Sequence, residues 1–180
     1  GRRRLRCRAA GDSGCGVNRS EQTTSSAELW MRQALAEARR SERLGEVPVG
    51  AVVVVGGALV ARAHNETIRA KDPTAHAEVV ALRRAARRLG LTRITQAEIY
   101  VTLEPCAMCA GAMVQARIAM LTFGCRDPKA GALVSLYALA SDRRLNHRFP
   151  FREGVLAEES RGLLQAFFRA RRATGSRPGA

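Results

Sequence analysis

Apolar positions change their period several times along this chain, and each change marks a boundary between elements. Leu29, Trp30, Ala34, Leu35 and Ala38 recur at helical spacing with Arg and Glu opposite, and Gly45 closes that helix. Val49 to Val55 is an unbroken apolar, β-branched run, which predicts a central strand buried on both faces. Gly56-Gly57 predicts a hairpin turn into a second strand, Ala58 to His64. The polar segment Asn65 to Thr74 leads into a helix starting near His76, with Val79, Leu82, Ala86 and Leu89 inward and Arg83, Arg84, Arg87 and Arg88 outward. A strand at Glu98 to Leu103, a helix from Cys106 to about Ala116 and a strand at Ile118 to Phe123 follow. Beyond the polar loop Gly124 to Gly131, the pattern predicts a short helix over Leu133 to Ala140 and a weak strand over Arg152 to Leu156. A last helix is predicted over Glu158 to Arg172. Strands and helices alternate, so the fold class is α/β, a three-layer α/β/α sheet.

With 180 residues and 46% hydrophobic content, the chain is long enough for one domain with a sizeable core. That domain is placed at residues 27–173, between an N-terminal extension (1–26) and a short tail (174–180), both expected to be disordered. No run of eighteen apolar residues suggests a membrane span. The first 26 residues lack apolar periodicity and a hydrophobic stretch of secretory type, and they open on Arg2-Arg3-Arg4-Leu5-Arg6. They read as a non-native upstream extension or, alternatively, as an organelle transit peptide.

The net charge of +14 is concentrated at the ends: six Arg against one Asp in residues 1–20, and five Arg without an acid in residues 161–180. The ends are therefore the candidate polyanion-binding segments. Lys71 and Lys129 are the two lysines among 30 basic residues, a bias towards Arg that leaves charge alone as modest support for nucleic-acid binding. The cysteines make no disulfide framework, which suits a reducing cytoplasm.

The candidate chemistry lies in Pro73-Thr74-Ala75-His76-Ala77-Glu78 and Pro105-Cys106-Ala107-Met108-Cys109. One His and two Cys supply three zinc ligands and leave the fourth tetrahedral position for water, as in a catalytic site. Cys106 and Cys109 fall on one face of a helical turn that starts after Pro105. His76 sits at the start of another helix, and the two helix N-termini favour thiolate over thiol. Glu78, two residues past His76, is placed to carry protons for the bound water. His-x-Glu followed by Pro-Cys-x-x-Cys is a known signature of zinc deaminases, matched here and not newly found. A zinc ribbon would need a second Cys pair, which Cys7, Cys15 and Cys125 do not form; a redox pair would leave His76 and Glu78 without a role.

From about Trp30 to Arg172 the chain closely resembles the bacterial tRNA-specific adenosine deaminases, the TadA family within the cytidine deaminase-like fold. The resemblance rests on Glu46-Val47-Pro48-Val49-Gly50-Ala51, Asp72 to Glu78 and Tyr100 to Met113. It continues in Phe123-Gly124, Arg126-Asp127, Asn146-His147 and Phe167-Phe168-Arg169. It implies a five-stranded mixed sheet flanked by helices, a homodimer, a Zn²⁺ ion in each subunit, and no organic cofactor or membrane. The reaction it implies is adenosine to inosine at the wobble position of an arginine tRNA with an ACG anticodon. Zinc-bound hydroxide would attack C6 of the flipped base while Glu78 shuttles protons.

By position, His76, Cys106 and Cys109 match the family's zinc ligands and Glu78 its general acid/base. Asn65 matches a base-contacting Asn. The Ala77 N–H would orient the ring, and the Glu104 carbonyl would accept from the leaving amine. Asp127 matches a loop residue near the substrate backbone, with an ordinary turn former as the alternative. Phe168 and Arg171 match the last helix's contribution to the anticodon-loop site, although Leu163, Leu164, Phe167 and Phe168 form one apolar face, which puts at least one Phe in the core. His147 reads as a structural hydrogen-bonder and Cys125 as a small buried residue, and the contact made by His64 stays open. Residues Ala138 to Arg144 and the tail after Arg172 depart from the family. A deaminase of free guanine, cytosine or cytidine is the alternative for the same zinc site.

Overall fold

In the computed structural model the described residues are 19–175, with side chains from Ser26 onward. Residues 1–18 of the expected extension, with Cys7 and Cys15, and residues 176–180 of the tail lie outside them. The first helix, α1, spans Arg19–Arg43, so the expected domain start at Ala27 falls inside it. There follow β1 (Gly50–Val55), β2 (Ala58–His64), a short α2 (Thr67–Ala70), α3 (Ala77–Leu89), β3 (Ala97–Leu103), α4 (Ala107–Ala116), β4 (Met120–Cys125), β5 (Phe151–Arg152) and α5 (Ala157–Ala173).

The sheet is mixed and five-stranded, in the order β2-β1-β3-β4-β5. β1 is antiparallel to both β2 and β3, while β3, β4 and β5 run parallel. β2 and β3 therefore point the same way, and the loops leaving their C-terminal ends emerge at one edge of the sheet. That edge is where open α/β sheets place ligands.

β1 shows why its sequence is apolar without alternation. Ala51 and Val53 join the core under α3 and α4, whereas Val52 and Val54 pack with Met31, Ala34 and Tyr100 beneath α1. Gly50 lets α1 lie directly on the start of β1, since a Cβ there would sit 2.0 Å from the Ala34 carbonyl oxygen. The β1–β2 turn uses Gly56 and Gly57, both at positive φ (57° and 74°), as the hairpin reading requires.

The elements after α4 depart furthest from the sequence reading. β4 starts at Met120 because Arg117 (φ 56°) and Ile118, whose N–H donates to Met113, still close α4; it runs on to Cys125, which pairs with Leu103. β5 stops at Arg152 because Gly154 (φ 89°) and Leu156 (φ 52°) leave the extended region. The helix expected over Leu133 to Ala140 is absent, and a 3₁₀ turn at Leu139–Ser141 stands in its place. The N–H groups of Leu133, Val134 and Ser135 donate to the Glu104 carboxylate, and those of Leu136 and Leu139 donate back to the Gly131 and Ala132 carbonyls, so the segment folds as turns without an i→i−4 ladder.

Candidate active site

His76 and Cys106 occupy equivalent places in the chain. Each precedes the first turn of a helix in extended backbone geometry: His76 before α3 with φ −70° and ψ 151°, Cys106 before α4 with φ −72° and ψ 174°. Their carbonyls already accept the first helical hydrogen bonds, from the Val80 and Ala110 N–H groups, both at 2.9 Å. Cys109 follows one turn after Cys106 and shares its face. His76 Nδ1 lies 3.7 Å from Cys106 Sγ and 3.5 Å from Cys109 Sγ, and the sulfurs are 3.6 Å apart.

A tetrahedral zinc ion, bonded at about 2.3 Å to sulfur and about 2.1 Å to nitrogen, separates its ligand atoms by about 3.6 to 3.8 Å. The three donor atoms fit that ion. Among the described residues no other three His, Cys, Asp or Glu side chains converge in this way.

The charges agree with this fit. The Cys109 thiol, then His76, hold the Cys106 thiol down to about 4, while the same Cys106 contact and burial push Cys109 up. Two sulfurs at this distance share one negative charge when only protons are present; a dication lets both ionise. His76 is raised, chiefly by its hydrogen bond with Cys106. Glu78, in the first turn of α3, is 4% exposed, and burial pushes its carboxyl up. A buried carboxyl with raised affinity for its proton, beside Cys109, is suited to proton transfer at the site.

Asn65 follows directly on β2 and is buried. Its Oδ1 accepts the Ala77 N–H at 2.9 Å and so caps α3 from a distance in sequence. This corrects one expectation: the Ala77 N–H assigned to a substrate ring is engaged within the protein. Asn65 keeps its NH₂ as the group it can offer a ligand. The preceding residue, His64, is tied to α1 through Nδ1, 2.9 Å from Glu37 Oε2 in a buried pair. Ahead of His76, Asp72 Oδ1 accepts the Thr74 N–H (2.7 Å) and hydroxyl (2.6 Å), a local turn that delivers the chain to the site.

Two buried carboxylates, whose side chains the sequence reading gave no role, hold the loops around this edge. Glu46 accepts from the Thr67 hydroxyl (3.1 Å) and the N–H groups of Ile68 (3.2 Å) and Arg69 (2.8 Å). Glu104 Oε1 accepts the Leu133 (3.1 Å), Val134 (2.8 Å) and Ser135 (2.9 Å) N–H groups; its Oε2 accepts the Asp127 N–H (3.1 Å) and the Ser135 hydroxyl. The available signal was a lone carboxylate at the end of an apolar stretch, as in Leu103-Glu104-Pro105.

The other expected site residues are placed as follows. Asp127 Oδ1 accepts the Lys129 (2.9 Å) and Ala130 (3.3 Å) N–H groups, which makes it a turn former at the rim of an open groove of about 840 Å³. Phe168, Arg161, Arg169, Arg172 and Lys129 also line this groove. Phe167 is buried, and Phe168 packs edge-on to it with ring centres 5.4 Å apart, leaving Phe168 36% exposed.

Arg171 is a second correction. Its Nη2 donates to the Gly45 carbonyl at 2.5 Å and its guanidinium lies 4.9 Å from the centre of the Phe167 ring, so it fastens α5 to the end of α1 and does not line the groove. Arg161 is paired with Glu158, whereas Arg169, Arg172 and Lys129 have no acidic partner within 4 Å among the described residues. His147 Nε2 meets the Ile118 carbonyl at 2.9 Å, and Cys125 is buried with its thiol on the Thr102 carbonyl, both structural as expected.

Residues 25–172 match the model of the MafB19-like deaminase family. The tRNA-specific adenosine deaminase of Bacillus subtilis is 46% identical over 142 residues, covering 79% of this chain and 88% of that protein. The tRNA-specific adenosine deaminase of Haemophilus influenzae is 45% identical over 146 residues, covering 81% and 84%. A solved structure from work on A-to-I editing by tRNA:A34 deaminases at the wobble position of transfer RNA superposes with a TM-score of 0.74 at 43% identity, covering 76% of this chain and 99% of that one. A guanine deaminase from Nitrosomonas europaea, 22% identical with a TM-score of 0.68, shares the fold. With the site geometry, these likenesses show that the chain is a deaminase and belongs to the tRNA-specific adenosine deaminase family.

Proposed function

We propose that the protein converts adenosine to inosine at the wobble position of a tRNA anticodon, with an arginine tRNA bearing ACG as its substrate, in the cytoplasm. The observation that carries this reading is the convergence of His76, Cys106 and Cys109 at 3.5 to 3.7 Å beside the buried Glu78. Zinc held by these three side chains would supply Lewis acidity that makes water nucleophilic near neutral pH. Glu78 would carry one proton from water to the ring nitrogen and a second, from the hydroxyl added at C6, to the amine that leaves as ammonia. Asn65 holds the first turn of α3, and with it Glu78, through the Ala77 N–H, and turns its NH₂ towards the base.

The substrate side draws on the groove. Phe168 offers an aromatic face for an unstacked base, and Arg169, Arg172 and Lys129 offer cations to the phosphates. An anticodon loop is suited to this because its bases are already unstacked, which makes extrusion inexpensive. The homodimer belongs to the same proposal: Met108 on the small-residue helix α4, Leu136 (51% exposed) and Tyr137 (57% exposed) are exposed apolar side chains open to a second copy.

The test is inosine formation on a transcribed arginine tRNA with an ACG anticodon, run beside free adenosine, cytidine and guanine, with zinc measured by elemental analysis. Conversion of the tRNA alone by zinc-loaded protein is expected. Conversion of a free base or nucleoside alone would overturn the substrate.

A further inference from the structure

We propose that the Glu104 side chain is a positioning residue that couples the metal-ligand helix to the wall of the substrate groove. Glu104 is 2% exposed and stands two residues before Cys106. Its five acceptor contacts all go to one segment, 127–135: three N–H groups on Oε1, and the Asp127 N–H with the Ser135 hydroxyl on Oε2. A carboxylate removed from water is stabilised when its lone pairs meet several donors, and it then resists displacement. The segment is docked to the same strand end by backbone contacts too. The Ala132 N–H donates to the Pro105 carbonyl at 2.9 Å, and Cys106 and Gly131 form an isolated antiparallel bridge. Gly131 is fitted to this contact, because a Cβ there would sit 2.3 Å from Glu104 Cδ.

At its near end the segment carries Asp127, Pro128 and Lys129, which line the groove with Phe168, Arg169 and Arg172. One side chain therefore sets the distance between the thiolate of Cys106 and the turn that faces the RNA. The coupling rests on the groove being the RNA surface, as proposed above.

The two oxygens allow a selective test. In Glu104→Gln the amide oxygen takes the Oε1 place and keeps the Leu133, Val134 and Ser135 N–H groups. The amide NH₂ then faces the Asp127 N–H, donor against donor, and the Ser135 hydroxyl can turn to accept. The variant should release the Asp127 turn while leaving the rest of the segment attached. Expected are wild-type zinc content, KM for an anticodon stem–loop raised about tenfold, and kcat lowered less than twofold. KM does not depend on the fraction of folded enzyme, so a merely destabilised variant would not give this split. Amide exchange at Asp127 should quicken at least tenfold while that at Val134 stays within twofold. Gly131→Ala, which presses on the carboxylate from the other side, should raise KM in the same direction. Unchanged KM and unchanged Asp127 exchange in zinc-loaded Glu104→Gln would overturn the coupling. If the wild type leaves the stem–loop unreacted, the substrate reading fails, and Asp127 exchange still decides whether Glu104 anchors the turn.

Discussion

Arg171 separates a residue's place in a basic helix from its work. Its guanidinium donates to the Gly45 carbonyl and stacks over Phe167, so Arg171→Ala removes one charge-assisted hydrogen bond and one cation–π contact. The first contributes roughly 1.5 to 3 kcal/mol where water is excluded, and the second about 0.5 to 2 kcal/mol. Both groups here are half-buried, and the Gly45 carbonyl can turn to water once Arg171 is gone. The lower ends apply, for a net loss of about 2 kcal/mol, or about 4 to 8 °C in Tm for a domain of this size. The assays are thermal and denaturant unfolding together with tRNA binding at four or more salt concentrations. Arg171→Ala should lose stability and keep the wild-type salt slope. Arg172→Ala should keep stability and flatten the slope by roughly 0.7 to 0.9, one phosphate contact. If Arg171→Ala unfolds like the wild type and flattens the slope, the residue belongs to the RNA surface and the assignment made from its partners is wrong.

Glu78→Gln should retain fold and zinc while losing turnover about 10²- to 10⁴-fold, the range for removal of a general acid/base; a fall in zinc content would make Glu78 a ligand. The Asp72 turn gives a pH prediction. The Thr74 hydroxyl, then the Thr74 N–H, hold the Asp72 carboxyl below its ordinary value of 3.8. A depressed carboxyl stabilises the folded state above the unfolded value, and that contribution is lost as pH falls through the folded value. In chelated protein the stability gap between wild type and Asp72→Asn should therefore be constant above about pH 4 and shrink below it. A gap that widens on acidification would reverse the sign and remove the turn as its source.

The candidate metal site was legible because each of its parts is local. His76 and Cys106 mark helix starts by their own neighbours, and Cys109 follows Cys106 by one turn, so spacing alone brings donors to a common face. β1 was legible for a similar reason: a run with two apolar faces has one kind of burial open to it. What escaped was a set of features in which a side chain takes a backbone group far away in sequence. Glu104 reaches 29 residues to Leu133 and fastens a segment that folds as turns where the apolar pattern favours a helix. Arg171 reaches 126 residues to Gly45 and so leaves the surface its helix position suggested. Asn65 takes the Ala77 N–H that was assigned to substrate. Periodicity reports which face of an element is dry, but a backbone N–H looks the same in every residue, and nothing in its own sequence names the acceptor that will claim it. The acceptors do carry a mark. Glu46, Asn65 and Glu104 are polar residues beside apolar strands, each buried below 10% exposure. A group that loses water there must find donors, and the donors at hand belong to the loops around the candidate site. Polar residues at the ends of buried strands are therefore the places where sequence reading should expect loop anchors, even when the partner cannot be named.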